Sequence, residues 1–334
     1  MFYTFVRPSR AGARAALCDP SSTIASPLDT QPARPASGTL PAALRLGRVE
    51  LTVTDLDRSI AFYEESIGLR LARRDGAVAA LGAGGEDLLV LVEDPSARPA
   101  ERHAGLYHFA LLHSSRSELA RAAQRLVATR TPISGASDHG ISEAIYLSDP
   151  DGNGIELAAD RPRERWGDLS DPTTVGPRPL DLDGLLSLVH GSEPQPKADS
   201  SLVVGHVHLH VGDIERGLAF YRDVIGFEVM TLFPSAAFVS AGGYHHHLAF
   251  NTWRGEGVPP APDGAVGLRH WTVILPTAAD LAALRERVAS AGVGDEPVAS
   301  AGVGDEAGDG ALVVRDPWNN AAVFAVEPAG ARTD

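Results

Sequence analysis

The sequence contains very little cysteine and lysine, with one residue of each among 334. Because a disulfide needs two cysteines and a thiolate metal cage needs several, Cys18 alone excludes both within one chain. The single lysine, Lys197, lies in a polar stretch, which argues against Schiff-base chemistry. No apolar run reaches the roughly 18 residues that a membrane-spanning helix needs. These absences favour a soluble protein of a reducing compartment, and we expect it in the cytoplasm.

The charge balance is acidic. Asp and Glu number 43 against 29 for Lys and Arg, which gives a formal net charge of −14. This balance argues against nucleic acid and against an anionic membrane as partners. Hydrophobic residues make up 44% of the chain, and at this length they are enough for the cores of about two domains.

An internal repeat runs through most of the chain. GRVELTVTDLDRSIAFYEESIG begins at Gly47 and recurs as GHVHLHVGDIERGLAFYRDVIG from Gly205. LYHFALL likewise recurs as LRHWTVIL, and SDPDGNGIEL recurs as RDPWNNAAVF. The chain therefore consists of two similar halves, which predicts two domains of one kind.

The repeat and the composition together predict the domain organisation. The predicted segments are a disordered Ala-, Pro-, Ser- and Arg-rich tail (1–45), a first domain (46–160), a Pro- and acid-rich linker (161–204), a second domain (205–328) and a short tail (329–334). A short helix is expected in the linker near 182–188. A tandem duplication over 288–307 is interpreted as a surface loop without a function.

Each half divides again into two units of one pattern. Val49, Leu51 and Val53 alternate with polar residues, which predicts a strand. Asp55 can cap a following helix, which Gly68 ends, and three strands come next. The pattern restarts in the second part of each half. Four strand–helix–three-strand (βαβββ) units predict an α+β protein of two cupped, mixed β-sheet modules.

The histidines are concentrated in the second half, where seven of the 12 lie between positions 206 and 270. In HVHLH, the period of two places His206, His208 and His210 on one face of a strand and the apolar residues on the other. This pattern is typical of a sheet that lines a metal cavity, and a solvent-facing polar strand is the alternative. Three other histidines are expected at the surface: His103, His113 and His190.

The four units resemble the vicinal-oxygen-chelate superfamily, through the signatures G-H-V-x-L-x-V and F-Y-x-x-x-(I/L)-G and the turn DPDGNGIEL. This superfamily includes glyoxalase I, bleomycin- and fosfomycin-resistance proteins and extradiol ring-cleaving dioxygenases. LYHFALL, SDHGISEAIYLSDPDGNGIEL, ADRPRERW and GGYHHHLAFNTW look closer still to two-domain catechol 2,3-dioxygenase-like proteins. The resemblance implies an extradiol dioxygenase that inserts O2 into a catechol-type diol at a non-haem Fe(II) or Mn(II) site.

The same resemblance implies a metal held by two His and one Glu from a pair of units. Pairing the units in chain order gives two incomplete sets: Arg48, His108 and Glu156, and His206, His270 and Val323. Arginine stays protonated and valine has no donor atom. Pairing unit two with unit three instead gives the complete set His108, His206 and Glu156. His270 is kept as the less favoured ligand.

Further roles follow from the resemblance. His246 matches the residue that acts on oxygen and on substrate protons. Tyr146, ten residues before Glu156, and His139 match residues that orient the substrate. The expected substrate-binding residues are His208, Asp138 and Trp253. Purely structural roles are the alternatives, since His108 could be a core histidine and Tyr146 could simply pack.

Two other functions of the same fold stay open at this point. One is a glyoxalase-like isomerase or thiol transferase, whose sites usually want a second carboxylate. The other is a non-catalytic protein that binds a small molecule such as a drug. For the dioxygenase, the expected partners are a small aromatic diol and O2, with no nucleic acid and no membrane, and a homo-oligomer is left open.

Overall fold

The computed structural model describes residues 38–171, 173–295 and 310–326. Most of the predicted N-terminal tail, the predicted tail 329–334 and the second copy of the duplication lie outside the described residues. Within 38–45, Leu40 and Leu44 are buried in the core. No helix among the described residues is both long and apolar enough to cross a membrane.

The elements of the first half follow the predicted order of two units. They are β1 (Arg45–Val53), α1 (Leu56–Phe62), β2 (Arg70–Asp75), β3 (Val78–Gly82), β4 (Asp87–Glu93), β5 (Gly105–His113), α2 (Arg116–Thr129), β6 (Gly135–Asp138), β7 (Ser142–Ser148) and β8 (Gly154–Asp160). Helix α1 continues as a π-helical turn over Tyr63–Ile67.

The linker contains the expected short helix. Its elements are a 3-10 turn (Arg163–Arg165), β9 (Arg178–Pro179) and α3 (Leu182–Ser187). The second half contains β10 (Val203–His210), α4 (Ile214–Leu218), β11 (Glu228–Phe233), β12 (Ala236–Ser240), β13 (Leu248–Asn251), β14 (Gly267–Leu275), α5 (Ala278–Ser290), β15 (Leu312–Arg315) and β16 (Ala321–Val326). A π-helical turn over Ala219–Ile225 extends α4, as in the first half.

Local capping sets the helix ends. The Asp55 carboxylate accepts from the Arg58 backbone N–H at 3.0 Å, and the Ser115 hydroxyl accepts from the Glu118 N–H at 3.2 Å. These bonds satisfy donors that the first helical turn leaves unpaired. Gly68 ends the first helix in the left-handed region at φ 86°, where a residue without a Cβ is favoured.

The strands form two mixed sheets, and each sheet takes strands from both halves. The seven-stranded sheet has the order β15-β16-β14-β1-β4-β3-β2, and the nine-stranded sheet has the order β11-β12-β13-β10-β5-β8-β7-β6-β9. Unit one therefore pairs with unit four, and unit two pairs with unit three. This is the pairing that the set His108, His206 and Glu156 predicted. The predicted α+β fold is confirmed, whereas the domain boundaries stay a prediction.

The two faces of β10 differ as the alternation predicted. Val207 and Leu209 are fully buried in the main hydrophobic core. His206, His208 and His210 are also buried, with 3–5% exposure, so the alternative of a solvent-facing strand does not apply. The sheet therefore carries its histidines in an enclosed space.

Buried Tyr–Asp hydrogen bonds tie the elements of the two sheets together. Tyr63 follows α1, and its hydroxyl donates at 3.1 Å to Asp149, which lies in the turn before β8. The repeat places Tyr221 against Asp316 in the same way, at 2.9 Å. Burial raises the pKa of both aspartates, and it raises that of both phenols well above the usual value. The DPDGN turn is thus also a contact between units one and two.

The expectation of a surface position for His113 is wrong. This residue ends β5 and is 5% exposed, and its Nε2 atom is buried without a hydrogen-bond partner among the described residues. Burial first, and then the charge of Arg125, lowers the pKa of His113 to about 3.

Candidate metal centre and active site

Three buried side chains converge on one point of the nine-stranded sheet. The Nε2 atom of His108 lies 3.0 Å from Oε2 of Glu156, and the Nε2 atom of His206 lies 3.2 Å from the same oxygen. The two Nε2 atoms are 3.2 Å apart. These are the three residues that the pairing of units two and three predicted.

Adjacent strands bring the three side chains together. Strand β5 lies between β10 and β8. Ala110 of β5 is in register with His206 on one side and with Glu156 on the other. Because residues in register on neighbouring strands face the same way, both side chains point to the same face as His108, two residues away. Two halves of the chain therefore build one centre.

An irregularity in β5 adds an aromatic residue that the sequence reasoning missed. His208 pairs with His108, but Leu209 pairs with Leu106, so Tyr107 is an extra residue in its strand. Such a bulge re-aims side chains. The Tyr107 ring accordingly lies against those of both His108 and His208, at centroid distances of 4.8 and 5.0 Å. No simple sequence signal marks this bulge.

The three donor atoms fit a divalent metal ion. Two adjacent ligands of an octahedral ion, at bond lengths of about 2.1 Å, lie roughly 3 Å apart. The observed separations of 3.0–3.2 Å match that spacing. Two imidazoles and one carboxylate on one side are also the donor set of non-haem Fe(II) oxygenases, which leaves positions open for ligands. The set has one carboxylate, not the two usual for glyoxalase-like sites.

The Glu156 carboxylate is charged despite its burial. Burial alone would raise its pKa, but the charge of His206 and hydrogen bonds from His108 and His206 outweigh this effect. The result is a pKa well below the usual value. An ionised carboxylate in an enclosed site needs a positive partner, and a metal ion would supply one.

Tyr146 and His139 form a hydrogen-bonded pair next to this carboxylate. Tyr146 is directly in register with Glu156 in the β7–β8 hairpin. Its hydroxyl lies 2.8 Å from Nε2 of His139 and also bonds to Glu156. Burial, and then the charge of Glu156, raises the pKa of Tyr146 well above its usual value, so the phenol keeps its proton. Burial also lowers the pKa of His139, which favours the neutral ring.

His246 lies over His206, with ring centroids 4.1 Å apart. Its Nδ1 atom is 2.7 Å from Nδ1 of His245, whose Nε2 is 2.9 Å from a carboxylate oxygen of Asp160. If Nε2–H of His245 donates to Asp160, Nδ1 of the same ring can accept from Nδ1–H of His246. Burial lowers the pKa of His246 well below its usual value. In this arrangement, Nε2 of His246 carries no proton.

His208 is held by a side-chain amide. The Asn251 amide Nδ2 donates to Nε2 of His208 at 2.9 Å, and its Oδ1 lies 2.8 Å from Nδ1 of His210. Since His208 Nε2 accepts a hydrogen bond, this ring is neutral, and burial lowers its pKa well below the usual value. Asn251 was not among the predicted site residues.

Two exposed aromatic rings form the edge of this centre. Trp253 is 52% exposed and Tyr107 is 38% exposed. Their rings meet edge to face at 5.2 Å, and Trp253 also lies 5.3 Å from the ring of His208. Both rings are thus partly exposed to solvent beside His208.

Asp138 has a different environment from the other predicted residues. Its two oxygens accept from the Gly140 backbone N–H and from the Arg161 guanidinium, at 2.8 and 2.7 Å. The carboxylate is thus engaged in shaping the loop that carries His139. Because both oxygens are engaged, these bonds favour a structural role for Asp138 over direct contact with a substrate.

His270 lies apart from the centre formed by His108, Glu156 and His206. It lies on β14 in the seven-stranded sheet, where Nε2 is 3.9 Å from Glu50. Burial first lowers the pKa of His270, and the charges of Arg48, Arg269 and Arg315 add to this effect, while Glu50 opposes it. Three guanidinium groups around one imidazole repel a cation, so the structure does not support His270 as a metal ligand.

Comparisons with known proteins agree with the fold and the motifs. The family model described as "Glyoxalase/Bleomycin resistance protein/Dioxygenase superfamily" matches residues 45–157 and 203–324. The chain is 44% identical over 257 residues to the Catechol-2,3-dioxygenase of Bacillus subtilis (strain 168), and this match covers 74% of the chain and 88% of that relative.

Solved structures are similar in fold. A Bacillus subtilis protein suggested to be a dioxygenase superposes with a TM-score of 0.61 at 14% identity, over 88% of this chain and 87% of that one. Glyoxalase I from Zea mays superposes with a TM-score of 0.51 at 18% identity, over 85% and 92% of the two chains. At these identities the similarity concerns the fold alone.

Proposed function

Because the chain belongs to the Glyoxalase/Bleomycin resistance protein/Dioxygenase superfamily, we propose that it opens the ring of a catechol-type diol with O2 at the His108–Glu156–His206 centre. Its enzyme class is that of the extradiol dioxygenases, as the 44% identity to a Catechol-2,3-dioxygenase over most of the chain indicates. The substrate, the metal and the residue roles are the finer parts of the proposal.

The observation that carries the proposal is the convergence of the three donor atoms. They are buried, mutually 3.0–3.2 Å apart, and contributed by both halves of the chain. His108, His206 and Glu156 would hold an Fe(II) or Mn(II) ion, which would supply the redox chemistry for the reaction of a diol with O2. Iron is the metal we expect, with manganese as the alternative.

His246 is proposed as the group that moves protons. Its Nε2 atom is left unprotonated by the bond between His246 and His245 and can take a proton from a diol hydroxyl. The ring centroid lies 4.1 Å from that of His206, so the proton is held close to the donor set. Asp160 fixes the orientation of His245, which in turn fixes that of His246.

Tyr146 and His139 are proposed to orient the substrate. The Tyr146 phenol keeps its proton and bonds to His139 and Glu156, and a diol oxygen that replaces one of these partners would accept that proton in a hydrogen bond. His208, locked by Asn251, and the exposed ring of Trp253 would contact the aromatic ring. Tyr107, whose ring lies against those of His208 and Trp253, would contact the aromatic ring as well. Asp138 acts on the His139 loop rather than on the ring.

Breakdown of aromatic compounds in the cytoplasm is the setting that this activity suggests. The partners in the reaction are then a small aromatic diol and O2.

The test is an oxygen-uptake assay on protein reconstituted anaerobically with Fe(II). Catechol, 3-methylcatechol and 2,3-dihydroxybiphenyl serve as the diols, and phenol, which has one oxygen and cannot chelate, serves as the control. We expect one O2 consumed per diol, a ring-opened semialdehyde product, and no uptake with phenol. Metal-loaded protein that consumes no O2 with any diol would refute the dioxygenase assignment.

A variant separates the role of His246 from metal binding. His246→Gln is expected to retain the metal and to lose about 100-fold or more in kcat, because its proton transfer is lost. His190→Gln changes an exposed histidine far along the chain and serves as the matched control. Full activity in His246→Gln would remove this residue from the mechanism.

A further inference from the structure

A second cavity lies at the seven-stranded sheet. Its volume is about 580 Å³, which is within the usual range of small-molecule sites. Residues of β14, β15 and β16 line it together with the loop before β14 and the loop between β4 and β5. His108, Glu156 and His206 do not line it. The proposed ring-cleavage reaction therefore leaves this cavity without a role.

The internal repeat relates this cavity to the metal centre. Four of its lining residues occupy positions of the centre: His270 corresponds to His108, Arg269 to Tyr107, Val323 to Glu156 and Val313 to Tyr146. The strand irregularity is also repeated, since Glu50 pairs with His270 and Leu51 with Leu268. The bulge therefore makes Arg269 an extra residue, as it does Tyr107. The two sites share a frame and differ in chemistry.

Positive charge has replaced the metal-binding donors. Arg269 and Arg315 line the cavity beside His270. Arg48, which stands at the repeat position of His206, is close enough to affect the His270 ring as well. The Glu50 carboxylate opposes these positive charges, and Arg269 contacts it at 2.7 Å. This combination repels a cation and attracts an anion.

The acidic residues of the lining are engaged or lie at its edge. Asp151 accepts from the Thr54 hydroxyl and backbone N–H and from Arg58. Glu101 and Asp263 are exposed, on the loops at the rim. These carboxylates therefore do not neutralise Arg269 of β14 and Arg315 of β15.

Part of the remaining lining is apolar, while Arg254, Asn153 and Asn320 add polar groups to it. Val313 and Val323, at positions that hold a tyrosine and a glutamate in the metal centre, line the cavity together with Leu268 and Trp318. Cationic groups beside an apolar wall suit a molecule with a charged head and a hydrophobic body. Guanidinium groups bind carboxylates with paired, charge-assisted hydrogen bonds.

We propose that this cavity binds one small organic carboxylate with an apolar, ring-sized body, held by Arg269, Arg315 and His270. The internal repeat has thus produced one site for a metal and one for an organic anion.

Isothermal titration calorimetry of the metal-loaded protein with benzoate tests this inference. One benzoate is expected to bind per chain. Arg315→Gln and Arg269→Gln are each expected to weaken binding about tenfold or more, because each removes a charge-assisted contact. Benzyl alcohol has the same ring without the charge and is expected to bind at least tenfold more weakly.

Glu156→Ala distinguishes the two sites. If benzoate occupies the proposed cavity, this variant binds it within twofold of the parent affinity, whether or not the chain cleaves diols. Benzoate binding that disappears in Glu156→Ala would assign it to the metal centre and overturn the proposal. Absence of saturable binding, or unchanged affinity in both arginine variants, would overturn it equally.

Discussion

A buried phenol beside a charged carboxylate keeps its proton, and Tyr146 owes its proposed role to that fact. Its burial and the charge of Glu156 both raise its pKa. The residue is therefore a hydrogen-bond donor at neutral pH and not a base. His139, held neutral by burial, fixes the direction of that donor from the other side.

Tyr146→Phe is expected to lower kcat by about 100-fold, since the phenol proposed to donate to a substrate oxygen is lost. Metal content is expected to stay at the parent level, because the three proposed ligands His108, His206 and Glu156 are unchanged. Steady-state kinetics and elemental analysis check the two parts. Tyr63→Phe is the control, because its phenol bonds to Asp149 and not to a residue of the proposed centre. Tyr244→Phe is not suitable, because the Tyr244 hydroxyl contacts Asp160, which also bonds to His245. Unchanged kcat in Tyr146→Phe would refute the assigned role.

His113 makes folding stability sensitive to acid. In the unfolded chain its ring takes up a proton near pH 6.5, but in the folded chain it does so only near pH 3. Its full contribution to stability is thus present above about pH 6.5 and is lost as the pH falls towards 3. Between pH 7 and 5 this one group costs about 2 kcal/mol in the free energy of unfolding.

Urea unfolding of the parent and of His113→Gln at pH 7 and pH 5 measures this effect. The variant is expected to lose less stability than the parent on acidification, by up to about 2 kcal/mol. His190→Gln, an exposed histidine, should behave as the parent does. An equal pH dependence in His113→Gln and the parent would contradict the low pKa.

Tyr146 could be predicted because the resemblance implies a tyrosine ten residues before the glutamate ligand. The ten-residue interval between Tyr146 and Glu156 spans the β7–β8 hairpin, which places the two in register. Tyr107 could not be predicted, because alternation puts it on the opposite face from His108 and only the bulge reverses this. The burial of His113 likewise depends on packing against distant segments.

At the scale of elements, the bulged strand β5 and its partner β8 carry two of the three proposed ligands. A Cβ at Gly154 would lie 1.9 Å from the Tyr107 carbonyl oxygen. Glycine there lets the two backbones approach closely, next to the bulge. The helix caps were predictable because capping acts over three residues, whereas this approach joins residues far apart in the chain.

Gly154→Ala is expected to reduce the free energy of unfolding by about 3 kcal/mol or more, because one backbone must move. Metal occupancy falls with it, since the shift separates His108 from Glu156. Gly135→Ala is the matched control, as its Cβ would meet no atom within 4 Å. Chemical denaturation and elemental analysis measure both effects, and parent-like behaviour of Gly154→Ala would contradict the account.

At the scale of the whole molecule, neither half can complete its sheets alone. Strands β5 and β10, from different halves, are neighbours in the nine-stranded sheet, and β1 and β14 are neighbours in the other. The pairing of units could be predicted because the resemblance implies two His and one Glu, and each pairing in chain order lacks one of these ligands. The sheet order itself, and the cavity of the seven-stranded sheet, depend on long-range packing that no local pattern encodes.

Separate expression of 1–200 and 201–334 tests this interdependence. Each piece alone is expected to bind no stoichiometric metal, because His206 lies in one piece and His108 and Glu156 lie in the other. Co-expression is expected to restore one metal per pair of pieces. Stoichiometric metal in the first piece alone would contradict a centre built by both halves.

Elemental analysis of anaerobically purified protein tests the central claim most directly. The parent protein is expected to contain close to one iron or manganese per chain, and Glu156→Ala close to none. His270→Gln, which changes the histidine at the equivalent position of the other sheet, is expected to keep the parent content. Equal metal in Glu156→Ala and the parent, or loss of metal in His270→Gln alone, would contradict a centre formed by His108, Glu156 and His206.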